Sequence, residues 1–229
     1  MGAKPARPAP REKGGRRLHP TFFALPKSRQ MQIVNAAMEV FSQGDYRHCV
    51  TDDIAARAGI SKGLLFHYFE NKLGLYLYLY RYALDLVTER LRAPAITQER
   101  DFFDLLERAT LEKLALMREH PSLFAFFFQS RVEKDEAVLR VLGTVWDPLI
   151  DQSAGQILAQ TDWSRFRDDV DPKLVLDLVL WSAEGFSKLH GELRSGDLEE
   201  LSREYLRALD LMRRHFYKPE WLEPRQKEQ

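Results

Sequence analysis

The chain predicts an all-α fold, three short N-terminal helices followed by a larger helical bundle, and three observations carry that reading. Apolar residues recur at helical spacing, as Val34, Ala37, Met38 and Phe41 do on one face. Capping residues, glycines and prolines punctuate the pattern at helix-length intervals. No stretch alternates apolar and polar residues between hairpin turns, so strands are not expected.

The elements follow in order. Residues 1–20 hold four of the eleven prolines and Gly14-Gly15 with almost nothing apolar, which reads as a flexible basic arm, taken to end by residue 26. The Val34 face then belongs to a helix stopped by Gly44. Thr51 with Asp52-Asp53 starts a short helix that ends at Gly59, and Ser61 starts another that ends near Phe69. Asn71 opens a long helix from about Lys72 to Arg92, stopped by Pro94. Helices at roughly 99–119, 121–131, 134–159, 172–191 and 197–216 complete the chain.

Composition narrows the function. With 45% apolar and 30% charged residues among 229, the chain has the balance of a globular protein with a core. Its longest uncharged runs, such as 63–69, 73–80 and 121–130, fall short of the ~18 residues that suggest a membrane span. The basic N-terminus has no apolar segment behind it and does not read as a secretory signal. Cys49 is the only cysteine, which excludes an intrachain disulfide and suits a reducing interior. A soluble cytoplasmic protein without membrane contact is expected. The net charge of zero conceals a division: residues 1–82 carry 13 Lys/Arg against 6 Asp/Glu, residues 83–229 carry 21 against 28. Positive charge gathered in one third invites a polyanion partner, although a basic tail alone would produce part of the same imbalance.

Residues 51–72 carry the chemistry. Ile54, Ala55 and Ala58 form the inward face of a first helix, Gly59 supplies the freedom for a tight turn, and Ile60 fills the space between helices. Ser61 caps the second helix, and Leu65 and Phe69, four apart, anchor it. The opposite side is then expected to expose Lys62, Gly63, Leu64, His67 and Tyr68. That face suits a major groove: glycine lets the backbone approach, leucine meets a thymine methyl, and the polar side chains reach base edges and phosphates. A helical hairpin packed in a core would show the same turn and caps. Lys62 and Lys72 each sit in the first turn of a helix, where a cation opposes the dipole at about 0.3–1 kcal/mol. An external phosphate at both helix tips would explain the two violations together.

From Ile33 to Leu79 the chain resembles the TetR family of bacterial one-component transcriptional regulators. The resemblance rests on Ile33-Val34-Asn35-Ala36-Ala37 with Phe41, Gly44-Asp45-Tyr46, Thr51, Ile54-Ala55, Ala58 to Gly63, and Tyr68 to Lys72 with Leu75. Thr21 to Pro26 is similar to a lead-in seen in one branch of the family. The resemblance implies a helix-turn-helix DNA-binding domain over 27–72, a ligand-binding and dimerisation domain over 73–229, and a homodimer on a palindromic double-stranded operator. By position it implies that Thr51 and Tyr68 contact phosphate, that Lys72 clamps phosphate, and that Lys62, Gly63, Leu64 and His67 face bases or adjacent phosphates, with Ser61 at the helix start. Position 66 is often tyrosine in the family. Phe66 has lost that hydroxyl, so apolar contact must serve there.

Beyond residue 83 the resemblance is architectural, and aromatic richness is the informative feature. Phe103, Phe124, Phe127, Phe128, Trp146 and Trp181 are the expected lining of an effector site for a small apolar or aromatic molecule, with Gln129, Arg131 or His190 as polar anchors. Phe124 and Phe128 share a helix face from which Phe126 points away. For each aromatic taken singly, ordinary core packing is the competing reading. Leu174, Leu178 and Trp181 on one helix and Leu201, Tyr205 and Leu209 on the next are expected to form a dimer interface as a four-helix bundle.

Catalysis finds little support. The six histidines form no metal-binding pair, and there is no phosphate-binding glycine loop, so no metal or cofactor is expected and the chain does not read as an enzyme. A helical adaptor that binds protein in place of DNA is the second rival, separable by specific, salt-sensitive duplex binding.

Overall fold

A computed structural model describes residues 19–189 and 198–222. Its described residues hold eleven α-helices and no strand pair beyond one isolated bridge between Phe166 and Tyr217. Helices α1 (Pro20–Phe23), α2 (Lys27–Phe41), α3 (Thr51–Ala58) and α4 (Lys62–Phe69) make the head. The long α5 (Lys72–Leu91) leads to α6 (Pro94–Thr97), α7 (Phe102–Glu119), α8 (Pro121–Arg131), α9 (Glu136–Gln160), α10 (Pro172–Leu189) and α11 (Leu198–Phe216). Among the described residues no helix is long and apolar enough to cross a membrane.

Local capping decides most boundaries. Asp101 starts α7 by accepting the Asp104 N–H at 2.9 Å, and Asp135 starts α9 by accepting from Ala137 and Val138. These caps place both starts two or three residues later than the periodicity alone suggests. Pro94 does more than stop α5, because its fixed φ also opens the one-turn α6. The expected arm gives way to structure at its end: His19 caps α1, and Phe22 is fully buried against Tyr68, Phe69 and Tyr78.

Two apolar cores result. The first runs from Phe22, Ile33, Phe41 and Ile54 through Leu65 and Phe69 into Leu75, Tyr76 and Leu79 of α5, and on to Phe124 and Phe126 of α8. Phe126, which points away from its neighbours' face, packs on Phe41 and Tyr76 and so joins head to body. The second core holds Phe102, Phe103, Phe166, Val175, Val179, Leu209 and Tyr217. Buried Asp101 ties this end together, accepting from Arg165 at 2.7 Å and from the Tyr217 hydroxyl at 3.0 Å.

Two expectations are corrected here. Phe103 is buried within the second core, where Phe166 and Tyr217 pack against it. Leu209 is buried in that same core and does not face outward for a partner. Helical spacing along one element does not reveal the distant segments that cover it.

Candidate functional site

The head presents a helix-turn-helix built as its residue types require. Gly59 ends α3 with φ 63°, a left-handed conformation that suits glycine, and its N–H returns to the Ala55 and Ala56 carbonyls. Arg29 braces the turn from α2 by donating to the Gly59 carbonyl at 2.7 Å. The Ser61 hydroxyl accepts the Leu64 N–H at 3.2 Å and so begins α4. Leu65 and Phe69 are buried, whereas Ser61, Lys62, Gly63, Leu64 and His67 are exposed. Phe66 is half-buried.

Three expected features of this face differ. Tyr68 is buried at 6% exposure because α1, a lead-in invisible to the helical pattern of α4 itself, lays Phe22 over it. Thr51 is also buried, at the first position of α3. The two helix-tip lysines already have internal partners. Lys62 pairs with Asp52 at 2.8 Å, while the Lys72 ammonium donates to the Arg47 carbonyl at 3.3 Å and lies 4.5 Å from the Tyr46 ring centre. Burial lowers the pKa of Lys72, opposed by nearby Cys49, Asp45, Asp135 and Glu133. An external anion is therefore not required to explain either lysine.

The joint between α4 and α5 is tight. Glu70 adopts φ 62°, ψ −51°, and Asn71 N–H donates to the Phe69 carbonyl at 2.7 Å across it, closing a γ-turn. The Asn71 side chain then caps α5 by accepting the Gly74 N–H at 2.9 Å. A Cβ on Gly74 would lie 2.3 Å from the Phe69 carbonyl oxygen, so glycine is what allows α5 to approach the end of α4 this closely.

A cleft of about 2840 Å³ opens between α5 and the helices of the body. Of the aromatics read above as an effector-site lining, Phe124, Phe127, Phe128 and Trp181 border this cleft and Phe103 does not. Trp146 lies on α9, but its side chain is outside the described residues, as is His190. Of the proposed polar anchors Arg131 reaches the cleft, where it meets Glu184 at 3.6 Å, and Gln129 does not line it. The cleft continues along α5 to His19 and His67 in the head. Lys113 of α7 also lines it, a residue missed in the sequence although it interrupts the apolar run Leu106, Ala109, Met117.

On α10, Leu174, Leu178 and Trp181 are exposed, as large apolar side chains seldom are unless a partner covers them. Leu201 and Tyr205 of α11 are half-buried and line the cleft. Among the described residues no group of three or more His, Cys, Asp or Glu side chains gathers as metal ligands do.

Residues 33–79 match the family described as bacterial regulatory proteins of the tetR family. The fatty acid metabolism regulator protein of Bacillus subtilis (strain 168) is 33% identical over 101 residues, which are 43% of this chain and 47% of that protein. The chain thus spans about half the length of that relative. A TetR family transcriptional regulator from Chloroflexus aurantiacus has the same fold, with a TM-score of 0.63 and 20% identity over 88% of this chain and 99% of the other. So does the transcriptional regulator FadR from Bacillus subtilis in complex with stearoyl-CoA, with a TM-score of 0.59 and 17% identity over 78% and 96%. The helix-turn-helix, the all-helical architecture and these similarities agree: residues 33–79 form a domain of the tetR family of bacterial regulatory proteins, and the chain as a whole shares its fold with TetR-family regulators.

Proposed function

We propose that this chain is a cytoplasmic, ligand-responsive repressor that binds a palindromic operator as a homodimer and is released by an apolar small molecule. The observation that carries the reading is the exposed N-terminal half of α4. There Lys62, Gly63 and Leu64 are exposed beyond the Gly59 turn, with His67 exposed on the same short helix. A recognition helix docks by this end, with phosphate contacts fixing the register. Residues 27–72 are the DNA-binding unit in this account and 73–229 the effector and dimerisation unit. Lys72 supplies a phosphate contact from the start of α5, while the buried Thr51 and Tyr68 support the reading face from within.

Exposed Leu174, Leu178 and Trp181 support a second copy packing on α10. Paired heads must then reach half-sites about 34–36 Å apart, or a multiple of a helical turn. The cleft walls of Phe124, Phe127, Phe128 and Trp181 support an apolar effector. A relative named for fatty acid metabolism and a structural neighbour holding stearoyl-CoA favour a long-chain one. An occupant of the cleft presses on α5, whose first turn carries Lys72 and whose start is locked to α4 through the Glu70 turn. The head spacing changes, and specific binding is lost. Gel-shift titration of the purified protein against the DNA upstream of its own gene tests the reading. A sequence-specific shift reversed by a long-chain amphiphile is expected; binding that ignores sequence rejects it in favour of an adaptor.

A further inference from the structure

The chain enters the head beside α4. The His19 N–H donates to the carbonyl of Tyr68, in the last turn of α4, at 3.1 Å. The His19 ring lies 4.0 Å, centre to centre, from that of His67. The Thr21 hydroxyl joins the two, 2.8 Å from Nδ1 of His19 and 3.3 Å from Nε2 of His67. Phe22 then fixes α1 to α4 and α5 together, buried against Tyr68, Phe69 and Tyr78. His19, Thr21 and His67 are all exposed, and His67 shares a helix face with Gly63, four residues before it. The root of the N-terminal arm therefore stands at the edge of the surface that α4 offers to DNA.

The sequence before that root is one-sided. Residues 1–18 carry Lys4, Arg7, Arg11, Lys13, Arg16 and Arg17 against Glu12 alone. Arg17 and Arg16 lie two and three residues from His19, so covalent reach keeps their Cα atoms within about 11 Å of it. Gly14-Gly15, just before them, adds no side chains, which suits a backbone entering a minor groove about 6 Å wide. We propose that Arg16 and Arg17 enter the minor groove flanking the half-site that α4 reads, so that each head engages two adjacent grooves. The assignment rests on α4 as the recognition helix. An arm rooted beside such a helix reaches the neighbouring minor groove, and a narrow A·T groove draws arginine by its deepened negative potential. Lead-in α1 is then more than a cover for Tyr68: it aims the arm.

Anisotropy titration of the full chain tests this on one palindrome, selected from a random duplex pool and remade with A·T or with G·C flanks. The wild type is expected to prefer A·T flanks by about fivefold or more, the low end of the cost of one unfavourable base pair. Replacing both arginines, Arg16→Gln with Arg17→Gln, removes the preference and lowers the salt slope by about two. The paired change to lysine keeps the slope and weakens the preference. Equal wild-type affinity for the two flanks, or a preference that survives both glutamines, overturns the proposal and leaves the role of α4 intact. A slope that falls with no flank preference means phosphate screening only and also overturns it. Failure of the pool to yield any palindrome overturns the reading of α4 and this proposal with it.

Discussion

The carboxylate of Glu133, in the loop after α8, accepts the backbone N–H of Tyr46, in the loop after α2, at 2.8 Å. Its other oxygen accepts from Lys134 and Asp135, and beside it Arg47 pairs with Asp135 at 2.9 Å. Helix α8 therefore has two attachments. Phe124, Phe127 and Phe128 border the cleft, while Phe126 and the Glu133 loop hold the head. In the proposed mechanism, a shift of α8 on effector binding would reach the loop between α2 and α3 through this contact as well as through α5.

Glu133→Gln turns one acceptor oxygen into a donor and leaves at least one of the three N–H groups without its partner. Stability is expected to fall by about 1–3 kcal/mol. The informative readout is coupling: operator and effector each still bind, but the effector weakens operator binding severalfold less than in the wild type. Anisotropy titrations of labelled operator with and without effector measure this. Unchanged coupling would place the transmission in α5 alone.

Gly74→Ala puts a Cβ 2.3 Å from the Phe69 carbonyl oxygen, so α4 and α5 must separate. Urea melts are expected to show a loss of about 1–3 kcal/mol, the usual cost of overpacking. Operator affinity should fall with it, because α4 is re-aimed. Gly155→Ala is the control. It is exposed in the interior of α9 with nothing near its added methyl, and should stabilise by roughly 0.5–1 kcal/mol without affecting DNA binding.

Leu178→Glu adds charge to the exposed α10 face and leaves the chain's own core intact. Sedimentation should show dissociation of a dimer into folded monomers, with weaker operator binding because two half-sites are no longer read together. Leu209→Glu, within the second core, should instead unfold the body. A dimer that survives Leu178→Glu places the interface elsewhere.

The residues that were legible in sequence are those whose partners lie close along the chain. Gly59, Ser61 and Asn71 mark turn and caps by local chemistry, and the helices stand where those signals put them. Covering is a different matter. Tyr68 was read as exposed and Phe103 as lining an effector site because their covers, Phe22 in one case and Phe166 with Tyr217 in the other, come from other elements. Glu133 gave no local sign, since its partner Tyr46 is far away in the chain.

Selection of bound duplexes from a random pool, followed by anisotropy titration of the winner against salt, tests the central claim that the exposed half of α4 reads DNA. The account predicts enrichment of a palindrome, affinity that falls steeply with salt, and a salt slope reduced by about one in Lys62→Ala. No enriched sequence, or Lys62→Ala binding that matches the wild type at every salt concentration, would contradict it.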